Sequence, residues 1–394
     1  MSNLCKIPFK EIYIEQAKNG IGPCCQMRPV SDLDKRSLTE NFKSNSFLKQ
    51  LRQDFLDDKR PSACNRCWDL EDQGLTSYRT SMSEEHTDTT LELTVLDIRL
   101  GNKCNLACKM CTPEYSNQLA KKMYDAIQEG AYIPSENKKS FEWQEILKTG
   151  DAIRPVNENL VNNIYQTIMD NPTINLIKFG GGEPFIMPEV SMLLKKLVES
   201  GRSKTLRVFT LTNCTTVKTS FLKLLENFLD VEISCSIDGV GKWIEYQRTG
   251  SNWESIKRNF SKLQQSNIST VSLTPVITQL NVLGVADFLE WAITQNASYI
   301  AFNEIQHPEW FRWQLVPLEY RKKVLKKLNK LNLEQHNIDP NWLQFRKNLK
   351  TEVQTLDEET RHRWSGDLIL WEYGSNEKYF DHYPWGKALY EGTL

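Results

Sequence analysis

The chain has 394 residues, with 49 Lys and Arg against 50 Asp and Glu, a formal net charge of −1 and 40% apolar residues. That length accommodates two or three domains, and the charge balance excludes a broadly basic or acidic surface as the working device. No apolar run approaches the ~18 residues of a membrane span, and the N-terminal stretch MSNLCKIPFK lacks the layout of a signal peptide. The chain therefore reads as cytoplasmic, with neither nucleic acid nor membrane as a partner. Its ten cysteines are the anomaly, and eight of them fall within the first 111 residues. In a reducing compartment, clustered thiols point to metal or catalysis rather than to disulfides.

Residues 1–85 read as a small cysteine-rich unit of mixed α and β structure. Glu11, Ile12, Tyr13 and Ile14 and the segment from Ile21 flank Asn19-Gly20, a hairpin-turn dipeptide. Ser46 is placed to cap a helix over 47–58, with Leu48, Leu51 and Phe55 at helical spacing. Cys64-Asn65-Arg66-Cys67 follows, and the polar run 81–90 has linker composition.

From 93 to 305 the pattern alternates between strand and helix. Strands are predicted at 94–100, 175–179, 206–211, 231–237, 271–277 and 299–302, and helices at 187–200, 220–229, 253–264 and 282–295. Six strand-then-helix units imply an α/β fold with a parallel sheet, either doubly wound or a partial (β/α)6 barrel. The first crossover, 111–174, is long enough to fold over something rather than merely connect. Residues 306–394 form an α-rich extension with a helix predicted at 318–331. It holds six of the eleven tryptophans, read as packing against the barrel. Arg321, Lys322, Lys323, Lys326, Lys327 and Lys330 give that helix a basic face, expected to be solvated.

The chemistry concentrates after the first strand of the alternating region. Cys104, Cys108 and Cys111 lie in one loop at CxxxCxxC spacing. Three thiolates can hold three corners of an iron–sulfur cubane and leave the fourth iron without a protein ligand. A zinc site short of one cysteine, or three unrelated buried thiols, are the competing readings. Gly181-Gly182-Glu183-Pro184 follows the second strand, and its exposed carboxylate on a glycine backbone suits an ammonium group approaching closely. Thr212-Asn213 closes the third strand. Ser236 and Asp238 close the fourth, and Arg248 comes twelve residues after Ser236. A guanidinium matches a carboxylate by two parallel hydrogen bonds. All these residues stand at carboxyl ends of strands, where parallel α/β folds build their sites.

In these ordered motifs, over residues 95–302, the sequence resembles the radical SAM superfamily. The resemblance implies a TIM-type partial barrel in which Cys104, Cys108 and Cys111 hold a [4Fe-4S] cluster. Its open iron would take the amino and carboxylate groups of S-adenosylmethionine. Gly181, Gly182, Glu183 and Pro184 would meet the amino group, Thr212, Asn213 and Asp238 would lie near the cofactor, Ser236 would meet the ribose and Arg248 the methionine carboxylate. One electron would cleave the sulfonium, and the 5'-deoxyadenosyl radical would abstract hydrogen from an organic substrate, a peptide or a small metabolite. An external one-electron donor such as a flavodoxin or ferredoxin is implied as a partner.

Cys5, Cys24 or Cys25, Cys64 and Cys67 offer four ligands for a second site, and by spacing alone zinc and iron–sulfur suit them equally. This segment is similar to the twitch half of a SPASM domain, which implies an auxiliary [4Fe-4S] cluster serving as an electron relay in an oxidative reaction. Here the unit precedes the barrel rather than following it. Matching the proline selects Cys24 as third ligand, whereas matching the gap length selects Cys25. Adjacent residues on a strand point to opposite faces, so one of them is expected to coordinate. Cys214 and Cys235 read as inert buried thiols, and His307 as structural. Three functions from different classes are consistent with the sequence: an oxidoreductase-type radical SAM enzyme, an iron–sulfur electron-transfer or scaffold protein without turnover, and a zinc-binding interaction protein.

Overall fold

The computed structural model describes residues 2–16, 20–27, 31–32, 37–83, 86, 88–131, 158–305 and 307–393. Asn19 of the expected hairpin turn and much of the long crossover after Cys111 lie outside the described residues.

Eight strands form one sheet in the order β3-β2-β1-β4-β5-β6-β7-β8. They are β1 (Glu11–Glu15), β2 (Gly20–Gly22), β3 (Ser31–Asp32), β4 (Val95–Arg99), β5 (Leu176–Gly180), β6 (Arg207–Thr212), β7 (Asp230–Cys235) and β8 (Thr270–Leu273). A separate parallel pair joins β9 (Val276–Ile277) to β10 (Asn303–Glu304). Five of the predicted strands appear in place. The run predicted at 271–277 breaks into β8 and β9 at Thr274-Pro275, where proline offers no amide to a ladder.

Two expectations change. β1 pairs antiparallel with β2, as the hairpin signal implies, but it also pairs parallel with β4 along its whole length. The sheet thus runs through the expected boundary near residue 85, and the sixth parallel strand sits at the front of the chain. At the other end, 299–302 is no regular strand: Ile300 makes single bridges to Leu273 and Ile338. Its amide goes to the Asn337 carbonyl at 2.9 Å, and its carbonyl accepts from Asp339 at 2.9 Å. The tail thus pairs with one edge of this segment, while Tyr299 O and Ala301 N–H bond Leu273 on the other.

The period-2 alternation of the strands divides the sheet into two chemical faces. Ile12, Ile14, Leu96, Ile98, Ile177, Phe179, Val208, Val231 and Ile233 share one apolar core with helix residues such as Ile164, Leu194 and Leu222. The opposite, inward face carries polar rungs in register. Glu11, Val95, Leu176 and Arg207 form the first, Tyr13, Asp97, Lys178, Phe209 and Glu232 the second, and Glu15, Arg99 and Gly180 the third. Glu11, Glu15, Asp97 and Lys178 are all buried there.

All six tail tryptophans are buried in the main core. Trp313 stacks edge-on to Phe345 at 4.9 Å, and its indole N–H donates to Glu304 at 2.6 Å. The basic helix Leu318–Leu328 departs from a wholly solvated face. Arg321 is fully buried over the Trp313 ring, and its guanidinium donates to the carbonyl of Thr351 at 2.9 Å. His307 is exposed and hydrogen-bonded to Glu309 at 2.7 Å, away from any cavity described below. No helix among the described residues is long and apolar enough to cross a membrane.

Replacing Trp313 with alanine removes a fully buried indole ring and takes one of two side-chain donors from the Glu304 carboxyl. Trp313→Ala should lower unfolding free energy by about 3–5 kcal/mol in urea titration, against less than about 0.5 kcal/mol for the exposed Leu343→Ala.

Candidate active site

The loop from Gly101 to Ser116 leaves β4 and enters the helix Asn117–Gln128, whose N-cap is Ser116. Main-chain bonds hold it on two sides. On one, Ala107 N–H donates to Thr249 O at 3.0 Å and Lys109 N–H to Gln247 O at 2.9 Å. On the other, Gly182 N–H donates to Gly101 O at 3.0 Å and Glu183 N–H to Lys103 O at 2.8 Å. The glycine pair has a local reason. A Cβ on Gly182 would stand 2.3 Å from the Lys103 carbonyl oxygen, and Gly181 has φ +95. The close approach the sequence suggested is thus, in the first place, one of the GGEP backbone to the cysteine loop.

Glu183 is buried, and its carboxylate collects three donors. Thr212 Oγ1 and Phe185 N–H reach Oε1 at 2.9 and 3.1 Å, and Asn213 N–H reaches Oε2 at 2.6 Å. Burial nonetheless pushes its pKa up to about 7. Asn213 continues toward the loop, donating to Asn105 Oδ1 at 3.0 Å and to the Cys104 thiol at 3.8 Å. Cys104 N–H is itself held by Asn117 Oδ1 at 2.7 Å.

Opposite Glu183, Arg248 and Asp238 form a buried bidentate pair, Nε to Oδ2 at 2.5 Å and Nη2 to Oδ1 at 2.9 Å. Asp238 also accepts from Gln247 Nε2 at 2.8 Å and from Val276 N–H at 2.9 Å. Burial works against the Arg248 charge, but Asp238 and the neighbouring Cys108 hold its pKa above the ordinary value. Its guanidinium also bonds the Cys108 thiol. Asp238 therefore acts on Arg248 as its positioning partner. Ser236 is half-buried beside the same strand ends, its N–H on Thr212 O at 2.8 Å.

Cys104, Cys108 and Cys111 lie within one another's electrostatic field, and burial raises all three thiols, Cys108 to about 12. Cys214 and Cys235 are fully buried in the apolar core. The sequence reading missed Lys109. Between two of the loop cysteines, its ammonium donates to Tyr246 O at 2.6 Å and Thr249 Oγ1 at 3.0 Å and lies 3.9 Å from the Tyr246 ring centroid. A buried lysine inside a cysteine triplet was the available signal.

A cavity lies in the N-terminal segment, lined by Cys5, Cys24, Cys64 and Cys67 with Tyr78 and Arg79. Cys25 is not among its lining residues. It lies toward Asp97 and Arg99 on the inward face of β4, and burial pushes its thiol up to about 12. Among the described residues, no group of three or more His, Cys, Asp or Glu side chains closes on a single ion.

Residues 98–292 match the family described as the Radical SAM superfamily. No curated protein matches the chain. Among solved structures, it is similar to native anSMEcpe with bound AdoMet, at 15% identity over 60% of this chain and 59% of that one, TM-score 0.37. It is also similar to Streptococcus suis SuiB bound to precursor peptide SuiA, at 11% identity over 79% and 57%, TM-score 0.41. A third is the radical S-adenosylmethionine methyltransferase TsrM from Kitasatospora setae with tryptophan substrate and SAM analog bound, at 10% over 53% and 36%, TM-score 0.35. The chain spans less than two thirds of the length of these structures. The cysteine triplet, the GGEP segment and Arg248 all lie inside residues 98–292, the stretch over which the chain is similar to the Radical SAM superfamily.

Proposed function

We propose that the protein is a radical SAM enzyme that abstracts hydrogen from an organic substrate, a peptide or small metabolite, for oxidative modification. The carrying observation is the convergence of three cysteines, Glu183 and the Asp238-held Arg248 on one set of strand ends. When bound there, a [4Fe-4S] cluster and S-adenosylmethionine supply reductive cleavage of the sulfonium and a 5'-deoxyadenosyl radical. The chain's own residues do the placing. Cys104, Cys108 and Cys111 offer three thiolates and leave one metal position open. Glu183 offers its carboxylate to an ammonium, and Arg248, kept charged by Asp238, offers a fork to a carboxylate. Burial of both groups keeps water from weakening these contacts.

The N-terminal cavity supports a second, auxiliary cluster held by Cys5, Cys24, Cys64 and Cys67, with Cys24 rather than Cys25 as the third ligand. Four thiolates close the coordination, which suits electron transfer in the oxidative half of the reaction. The electron for the reductive step is supplied by an external one-electron donor of the flavodoxin or ferredoxin type, in the cytoplasm, where thiols stay reduced.

Anaerobically reconstituted protein with dithionite and S-adenosylmethionine should release 5'-deoxyadenosine, read by chromatography. Cys108→Ala should reduce that release to background, and release that persists in the variant would overturn the assignment.

The Glu183 carboxyl, raised to about 7, is mostly neutral at pH 6 and mostly charged at pH 7.5. Affinity for S-adenosylmethionine should therefore rise about eightfold over that interval, in step with the ionised fraction of that carboxyl. Glu183→Gln should bind weakly with that rise abolished, as measured by calorimetry at each pH.

Paired Cys64→Ala and Cys67→Ala substitution should lower iron from about eight to about four per chain, while Cys25→Ala leaves it unchanged. Product formation that survives the paired change would end the relay role.

A further inference from the structure

The N-terminal cysteine cavity and the inward face of the barrel share a wall, and Tyr78 stands in it. Its ring lines the cavity beside the four cysteines, while its hydroxyl accepts from Lys178 Nζ at 3.0 Å. Lys178 belongs to the second rung of the inward face. Its ammonium donates to Glu11 Oε2 at 2.7 Å and lies 5.6 Å from the Tyr78 ring centroid. Lys178 is 7% exposed and Glu11 1%. Glu11 Oε1 has no hydrogen-bond partner, and the Cys24 thiol lies within the field of the Glu11 carboxylate.

A buried pair with one oxygen left bare is poorly explained by stability. Desolvating two charges costs about as much as their attraction returns, and apolar residues of similar volume serve the fold as well or better. Its placement explains it better. One wall away is a cavity whose four thiolates would surround a group that gains a negative charge on each reduction. In that low-dielectric setting a neighbouring cation favours the reduced state and a neighbouring carboxylate opposes it.

We propose that the Lys178–Glu11 pair sets the reduction potential of an iron–sulfur cluster held by Cys5, Cys24, Cys64 and Cys67, with Tyr78 as the group between pair and cavity. The inference rests on the auxiliary-cluster reading given above. Because Glu11 and Lys178 sit on β1 and β5, two strands of the barrel sheet, the potential of the N-terminal site is tied to the face that would receive substrate.

The test is a potentiometric titration of the anaerobically reconstituted full chain, followed by electron paramagnetic resonance at about pH 8.5, where Glu11 is ionised. Lys178→Met should move the auxiliary potential to more negative values, and Glu11→Gln should move it to more positive ones. The double variant should return toward the wild-type value, and Lys178→Arg should stay near it. The potential of the cluster at Cys104, Cys108 and Cys111 serves as an internal reference that none of these changes should move. Single variants that shift in the same direction, or that do not shift with iron at about eight per chain, overturn the inference alone. Wild-type iron at about four per chain overturns both the inference and the reading beneath it. If Lys178→Met fails to fold, the sign of the Glu11→Gln shift decides the matter.

Discussion

The site depends on a backbone contact between two loops distant in sequence. At Gly182 the chain passes so close to Lys103 that a side chain of any size would strike the carbonyl oxygen. That approach lets Gly182 and Glu183 bond the cysteine loop by their amides, and it sets Glu183 beneath Thr212 and Asn213. The Arg248 loop docks on the other side of the cysteines by the same means, through Ala107 and Lys109. The three loops that bear the candidate site residues are therefore registered by main-chain bonds. Side-chain changes at the cysteines can alter metal binding while the frame survives, whereas a single methyl at Gly182 disturbs the frame itself.

The inward face shows a second constraint. Strands of a parallel sheet buried on both faces are ordinarily apolar throughout, yet here Glu11, Glu15, Asp97, Arg99 and Lys178 occupy alternate positions beneath little or no solvent. They survive by pairing. Lys178 meets Glu11, Arg99 meets Asp97, and Tyr13 joins Glu15 and Tyr115. A lumen built this way is polar yet lies out of reach of bulk solvent. That is the setting in which a small number of charges governs what enters and how tightly it is held.

Much of this was legible in the chain. The β4–β7 strands and the loops at their ends follow from short apolar runs and from motif spacing, because both are local properties. The cysteine triplet, the GGEP segment and Arg248 were found by order and distance along the chain, and the structure brings them to neighbouring strand ends. What stayed hidden involves partners far away in sequence. The hairpin signal at residues 19–20 foretells β2 but not β4 as the second neighbour of β1. The 299–302 segment has strand composition, yet it meets β8 only at Leu273 while residues 337 and 339 take the peptide groups of Ile300 on its other edge. Arg321 reads as one more solvated charge of a basic helix until Trp313 and Thr351 enclose it. The choice between Cys24 and Cys25 turns on which side of one backbone faces the cavity, and a spacing pattern does not carry that information.

The parallel pairing of β1 with β4 also orders events in time. Ile12 sits opposite Leu96, so 84 residues separate the two sides of the ladder. At about 5–20 residues per second, roughly 4–17 seconds of synthesis pass before the first strand has its parallel neighbour. The segment that lines the N-terminal cavity is therefore made well before the strand beside which β1 will lie, and its wall on the barrel side is completed only after Val95–Arg99 has been made.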